Sequence, residues 1–233
     1  MRVTVIPHVD EVRSEQLSRK TVIMIDVFRA SSCIVTALAH GASSILPTAT
    51  VAQARAHKNG RLSGGERFGI KVEGFDMGNS PSEYRSEKVR NRNIVMTTTN
   101  GTRALAKASR GQYVLISCFL NGTACATHAI ELYRDILLLC AGTRGEFSLE
   151  DGMAAGFLLD ILRKLNPSVQ CDDLGLALIH SYHTCQNHLL ESLSASQSGQ
   201  RLIRRGLQQD IRDCLRRDQY PIVPRLDQTH IVL

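Results

Sequence analysis

Five times along this chain a short apolar run gives way to a polar loop and then to a stretch with helical character. The segments are "TVIMIDVFRASSCIVTALAHGA", "SSILPTATVAQARAHKNG", "NIVMTTTNGTRALAKASRG", "YVLISCFLNGTACATHAIELY" and "DILLLCAGTRGEFSLEDGMAAGFLLDILRKL". A continuous apolar run bounded by turn residues marks a strand buried on both faces. Strands that alternate with helices restrict the chain to an α/β fold around a largely parallel or mixed sheet. Thr21 to Ile25 and Ser44 to Pro47 are expected strands, and Cys33 to Ala39 an expected helix closed by Gly41. Gly60 and Gly111 close the next two units. "NGTR" and "AGTR" resemble each other, which leaves two similar halves as an open option. No long linker interrupts residues 1–233, so one domain is expected. "SLSASQSGQ" reads as a surface loop before a last helix from Arg201 to about Arg217.

In sheets of this kind a ligand sits beyond the carboxyl ends of the strands. Four loops should meet there: "DVFRAS", "TTTNGTRA", "FLNGT" and "AGTRGEFSLED". In "TTTNGTRA" the hydroxyls of Thr98, Thr99 and Thr102, the Asn100 amide, the backbone at Gly101 and the Arg103 guanidinium can all donate to an anion, at the start of a helix. A plain capping turn would explain one of these residues better than the whole run. The P-loop pattern is absent.

Asp26 follows a buried strand, where a carboxylate is held rigidly for a metal or a nucleophilic step. Arg29 lies just beyond, with a planar fork suited to phosphate. The bland alternative is a capping Asp26 with an Arg29 ion pair. The glycine-rich stretch from Ser63 to Pro81 is expected to be irregular and carries Glu66, Arg67 and Lys71. Glu150 and Asp151 open an Ala-rich helix on the same sheet edge. Carboxylates gathered beside anion donors point to a divalent cation, most plausibly Mg2+, with Asp26, Glu66, Glu150 and Asp151 as its expected ligands. His180, His183, Cys185 and His188 invite a zinc reading, but helical spacing scatters them, so a polar helix face is expected.

Composition narrows the partners. The net charge of +6 suits a small anionic substrate, whereas aromatic residues at 5% without tryptophan supply little for stacking on bases, so no nucleic acid is expected. Seven cysteines, an odd number without CxxC spacing, argue against a disulfide framework. No apolar run is long enough to span a bilayer, and "MRVTVIPHVDEVRSEQ" is not a secretory signal. A cytoplasmic protein without a membrane partner is the expectation, and a homodimer stays open.

Taken together, "IDVFRASSCIVTAL", "GGERFGIKVEGFDMGNSPSEY", "TTTNGTRAL" and "CAG…FSLEDGMAAG" resemble the 2-phosphosulfolactate phosphatase family, in order and across nearly the whole chain. The tail "GQRLIRRGLQQDIRDCLRRDQYPIVP" is similar to that family's as well. Phe28 and Ser31 to Cys33 stand where the family often has leucine and threonines. The resemblance implies a three-layer α/β fold and Mg2+-dependent hydrolysis of (2R)-O-phospho-3-sulfolactate to 3-sulfolactate and phosphate, a step toward coenzyme M. On this reading Asp26, Arg29 and Asp151 are catalytic. Arg29, Asn100 and Arg103 face the phosphoryl group, and at least one of Arg67, Lys71 and Arg144 takes the sulfonate. Other readings are a phosphatase for another small phosphorylated acid, a phosphoribosyltransferase-like protein, and a non-enzymatic phosphometabolite sensor.

Overall fold

A computed structural model describes residues 1–233. Its strands are β1 (Arg2–Ile6), β2 (Thr21–Ile25), β3 (Ser44–Pro47), β4 (Leu62–Arg67), β5 (Ile70–Lys71), β6 (Asn93–Thr97), β7 (Tyr113–Ser117), β8 (Ile136–Cys140), β9 (Gln170–Cys171), β10 (Arg225–Asp227) and β11 (His230–Val232). Its helices are α1 (Ser14–Leu17), α2 (Ala30–Ala39), α3 (Val51–Ala56), α4 (Gly101–Ala108), α5 (Gly122–Glu131), α6 (Leu149–Leu165), α7 (Asp173–Cys185), α8 (Leu189–Ser194), α9 (Gln197–Ile203) and α10 (Gln208–Cys214).

The strands form one mixed sheet in the order β5-β4-β6-β3-β11-β10-β7-β2-β8-β1-β9. β4, β6 and β3 are parallel, as are β7, β2, β8, β1 and β9. The antiparallel hairpin of β10 and β11 joins these two blocks. The alternation of side chains along each strand then decides the layers. Val22, Met24, Val114, Ile116, Leu137 and Leu139 face one side with Ile34 and Leu38 of α2 and Leu105 of α4. Ile23, Ile25, Leu115, Leu138 and Cys140 face the other with Ala126 of α5, Leu158 of α6 and Leu178 of α7. Both rows must therefore be apolar, which is why "VIMI" and "ILLLC" show no polar alternation. The result is a three-layer α/β sandwich.

Three local expectations are corrected. The stretch from Ser63 is not irregular throughout: it begins inside β4, which pairs with β6 through Leu62, Ser63, Gly64 and Gly65. Its glycines hide the strand from propensity, yet Gly65, at φ +141°, lies against the Thr97 carbonyl where no side chain fits. The serine-rich "SLSASQSGQ" is not a surface loop. Ser196 caps α9 by accepting the Gly199 N–H at 3.0 Å, and Ser196 and Ser198 are buried. The helix expected from Arg201 to Arg217 is broken at Gly206, which takes a left-handed φ of +72°, into α9 and α10.

The cysteines are all free, and Cys33, Cys118, Cys125, Cys140 and Cys214 are buried core residues. No helix is long and apolar enough to cross a membrane. His180 and His183 lie on α7, and His183 Nε2 pairs with Asp160 at 2.9 Å on the exposed helix face.

Leu138 is fully buried in β8, between β1 and β2. Leu138→Ala removes core contacts that no neighbour can replace, and should lower unfolding stability by about 2–5 kcal/mol in a urea titration.

Candidate functional site

The carboxyl ends of β2, β4, β6 and β8 open onto one cavity of about 720 Å3, measured with its open mouth. From the sheet side it is lined by Asp26, Phe28 and Arg29 after β2, Glu66, Phe68 and Gly69 at the β4–β5 turn, Thr98, Thr99 and Asn100 after β6, and Thr143 and Arg144 after β8. Asn79 adds an amide. From outside the sheet come Ser198, Arg201, Leu202 and Arg205, on α9 and just after it.

Asp26 is held by the first turn of α2. Its Oδ1 accepts the Ala30 N–H at 3.1 Å, and its own N–H donates to Ser31 Oγ at 2.9 Å. No protein donor occupies Oδ2. Burial raises the Asp26 pKa from 3.8 to about 7, with the charges of Glu66 and Glu150 adding to the rise and the Ala30 N–H opposing it. Glu66 ties two strand ends together: it accepts the Thr99 N–H at 2.7 Å, the Thr99 hydroxyl at 3.1 Å and the Gly69 N–H at 2.5 Å. Arg29 is buried, bonded to Asp210 of α10 at 2.5 Å and to Ser80 Oγ at 3.1 Å.

The expected site residues divide into those that reach the cavity and those that do not. Asp26, Arg29, Glu66, Thr98, Thr99, Asn100 and Arg144 line it. Glu150 and Asp151, expected in the same ligand set, do not line it. Asp151 spends its two oxygens on the Val27 N–H at 2.8 Å and the Gly142 N–H at 3.0 Å, behind the cavity wall. Burial, then the charges of Glu150 and Asp26, push its pKa well up. Glu150 sits beneath Ser196 and Ser198, and burial raises its pKa against the help of those serines and Arg201. Gly101 and Thr102 begin α4 as buried residues, where Thr102 donates its N–H to Thr98 Oγ1 at 3.1 Å and its hydroxyl to the Thr98 carbonyl at 2.9 Å.

Three expected substrate cations are also turned elsewhere. Arg67 donates to the Glu66 and Ala49 carbonyls and to Thr97 Oγ1, bracing the loop from behind. Lys71 reaches the Asp76 carbonyl at 3.0 Å and Glu83 at 3.7 Å. Arg103 is ion-paired with Asp10. Sequence reasoning missed the arginines that do reach the cavity from the C-terminal region, Arg201 and Arg205. The available signal was the basic clustering in "RLIRRGLQQDIRDCLRRD", which reads as a solvated face until the helix break at Gly206 is known.

No three His, Cys, Asp or Glu side chains converge as an all-protein metal cage. The donor set nevertheless fits a hard divalent cation. Asp26 Oδ2 is unclaimed, Glu66 keeps part of its accepting capacity, and hydroxyl and amide oxygens surround both. Magnesium retains several waters and needs only one or two carboxylates beside a substrate phosphate.

Fold and site together define an α/β protein that receives a small anion at the carboxyl edge of its sheet. A family profile described as 2-phosphosulpholactate phosphatase matches residues 6–229. The chain is 35% identical over 229 residues, 97% of each chain, to a protein of Clostridium tetani named probable 2-phosphosulfolactate phosphatase. It is 37% identical over 222 residues to one of the same name from Caldanaerobacter subterraneus, covering 93% of this chain and 92% of the relative. A third of that name, from Caldicellulosiruptor saccharolyticus, is 37% identical over 226 residues, 94% and 93% of the two chains. This chain belongs to the 2-phosphosulfolactate phosphatase family, a family of phosphoric monoester hydrolases.

The raised Asp26 pKa has a stability consequence. A carboxyl that holds its proton more tightly folded than unfolded costs stability as pH climbs from about 4 through about 7. In EDTA, Asp26→Asn keeps the acceptor for the Ala30 N–H and removes the buried charge. It should raise the thermal midpoint by a few degrees at pH 8, and the gain should shrink steadily as pH falls and be lost only below the ordinary carboxyl value of 3.8. Thermal melts across that range check both.

Proposed function

We propose that the chain hydrolyses the phosphate ester of 2-phosphosulfolactate to 3-sulfolactate and phosphate, with Asp26 and Glu66 holding Mg2+ in the cavity. The observation that carries this reading is the buried Asp26 beside Glu66 in a cavity otherwise supplied with anion donors. A protein that only binds an anion gains nothing from acids beside it, since they repel the ligand. A phosphatase needs both charges close together. Family membership supports the choice of ester.

When bound, Mg2+ supplies positive charge against the phosphoryl oxygens and offsets the repulsion among the buried acids. The chain's own groups do the rest. Arg29, fixed by Asp210 and Ser80, presents its remaining N–H groups to the phosphoryl group without reorganising. The Thr98 and Thr99 hydroxyls, the Asn100 amide and the N-terminal ends of α2 and α4 add donors. Negative charge spreads over the phosphoryl oxygens in the transition state, so donors fixed there act on rate. Asp151 acts at one remove, holding the Val27 and Gly142 N–H groups so that the loops after β2 and β8 keep their spacing. The same reading carries residues 1–233 as one catalytic domain in the cytoplasm, feeding sulfolactate toward coenzyme M.

Purified protein with Mg2+ should release phosphate from phosphosulfolactate. Chelation with EDTA should cut the rate at least about a thousandfold, and added Mg2+ should restore it. Turnover that survives thorough chelation removes the cation from the reading. No phosphate release with Mg2+ present overturns the reading as a whole.

A further inference from the structure

Several arginines of this protein have a carboxylate partner. Arg29 has Asp210, Arg85 has Asp213 and Arg103 has Asp10. Arg144, Arg201 and Arg205 are different. All three line the cavity, and none of them is ion-paired. Arg201 is half-buried, with one guanidinium nitrogen on Ser198 Oγ at 2.7 Å. Partial burial and the nearby charge of Arg144 press its pKa downward, while Glu150 opposes the shift.

The scaffold beneath them is built rather than incidental. Glu150 lies buried under the first turn of α9, in reach of Ser196 and Ser198, and so fixes the segment that carries Arg201. Arg205 passes over the tip of the β4–β5 turn at Gly69, where an added side chain would occupy the position of its guanidinium. Gly69, at φ +78°, also donates its N–H to Glu66. The one residue thus leaves room for the arginine and organises the acid.

We infer that Arg144, Arg201 and Arg205 form a second anion subsite that takes the sulfonate of the substrate and selects phosphate esters bearing a three-oxygen acid. This rests on the reading of the cavity as a phosphatase site. Three guanidinium forks, approaching from α9, its C-terminal end and the loop after β8, match an anion with three acceptor oxygens better than a planar carboxylate with two. The division of labour follows from position. The phosphoryl donors and the acids belong to the sheet edge, whereas Arg201 and Arg205 come from the helical layer outside it. A sulfonate does not change charge during hydrolysis, so its contacts are equal in ground and transition states and act on KM rather than kcat.

The test is steady-state kinetics of Arg201→Gln and Arg205→Gln with Mg2+, on 2-phosphosulfolactate and on phospholactate, which lacks the sulfonate. Each variant should raise KM for phosphosulfolactate about ten- to a hundredfold, the scale of a lost charge-assisted hydrogen bond, with kcat within about threefold. On phospholactate, kcat/KM should stay within about threefold of the wild type. Equal losses on the two esters, or a loss confined to kcat, overturn the subsite. Calorimetric titration with 3-sulfolactate, in the absence of turnover, provides a readout independent of activity. The wild type should bind it and both variants should bind it at least about tenfold more weakly. Undiminished binding by the variants overturns the subsite even if hydrolysis is normal. A wild type that binds sulfolactate through these arginines but releases no phosphate would overturn the hydrolase reading and leave the subsite standing.

Discussion

Four carboxylates buried at one edge of the sheet, without a basic residue to neutralise each of them, are the constraint on which the rest of this structure depends. Asp26, Glu66, Glu150 and Asp151 are all less than a tenth exposed. Charged groups in that position are costly unless hydrogen bonds or counter-charges compensate. The chain compensates mainly with backbone. Ala30, Val27, Gly142, Thr99 and Gly69 each turn an N–H toward one of these acids. Every loop on this edge is shaped by that requirement, and the loops in turn set where strands stop and helices start. The buried arginine of the neighbourhood, Arg29, is already matched to Asp210, so the acids retain an excess of negative charge.

That excess clarifies why acids and anion donors sit side by side. The arrangement is electrostatically contradictory for either a cation or an anion alone. It becomes consistent when one ligand set carries both signs, as a metal-bound phosphate does. The arginines from the C-terminal helices add positive charge on the side of the cavity opposite the sheet edge.

How much of this was legible in the sequence depends on whether the signal was local. The strands "TVIMI" and "ILLLC" announce themselves because burial on both faces requires unbroken apolar runs. The loops after them announce polar residues at the carboxyl edge, which located Asp26, Thr98, Thr99 and Asn100. Direction was not legible. Nothing local tells Arg67 to brace the Ala49 and Thr97 loop, Arg103 to pair with Asp10, or Asp151 to spend both oxygens on backbone, because those partners are set by strand order across the sheet. β4 was missed because glycine, which weakens a strand by propensity, is required there by the closeness of Thr97. Arg201 and Arg205 were hidden for a related reason. A basic cluster on a long helix would be dispersed around its circumference, and only the break at Gly206 gathers part of it over the cavity.

The tip of the β4–β5 turn sets a limit on how such a protein can diverge. Gly69 serves the acid side through its N–H and the arginine side through its lack of a side chain, so a change there disturbs both at once. α9, by contrast, touches the cavity from outside the sheet and is fastened by its own cap and by Glu150. Descendants of this scaffold can therefore exchange the surface of α9 and acquire new acids as cargo, while the hairpin tip stays frozen. Variation in what is recognised and constancy in what is done to it become separable along the chain, written in different segments of one sequence.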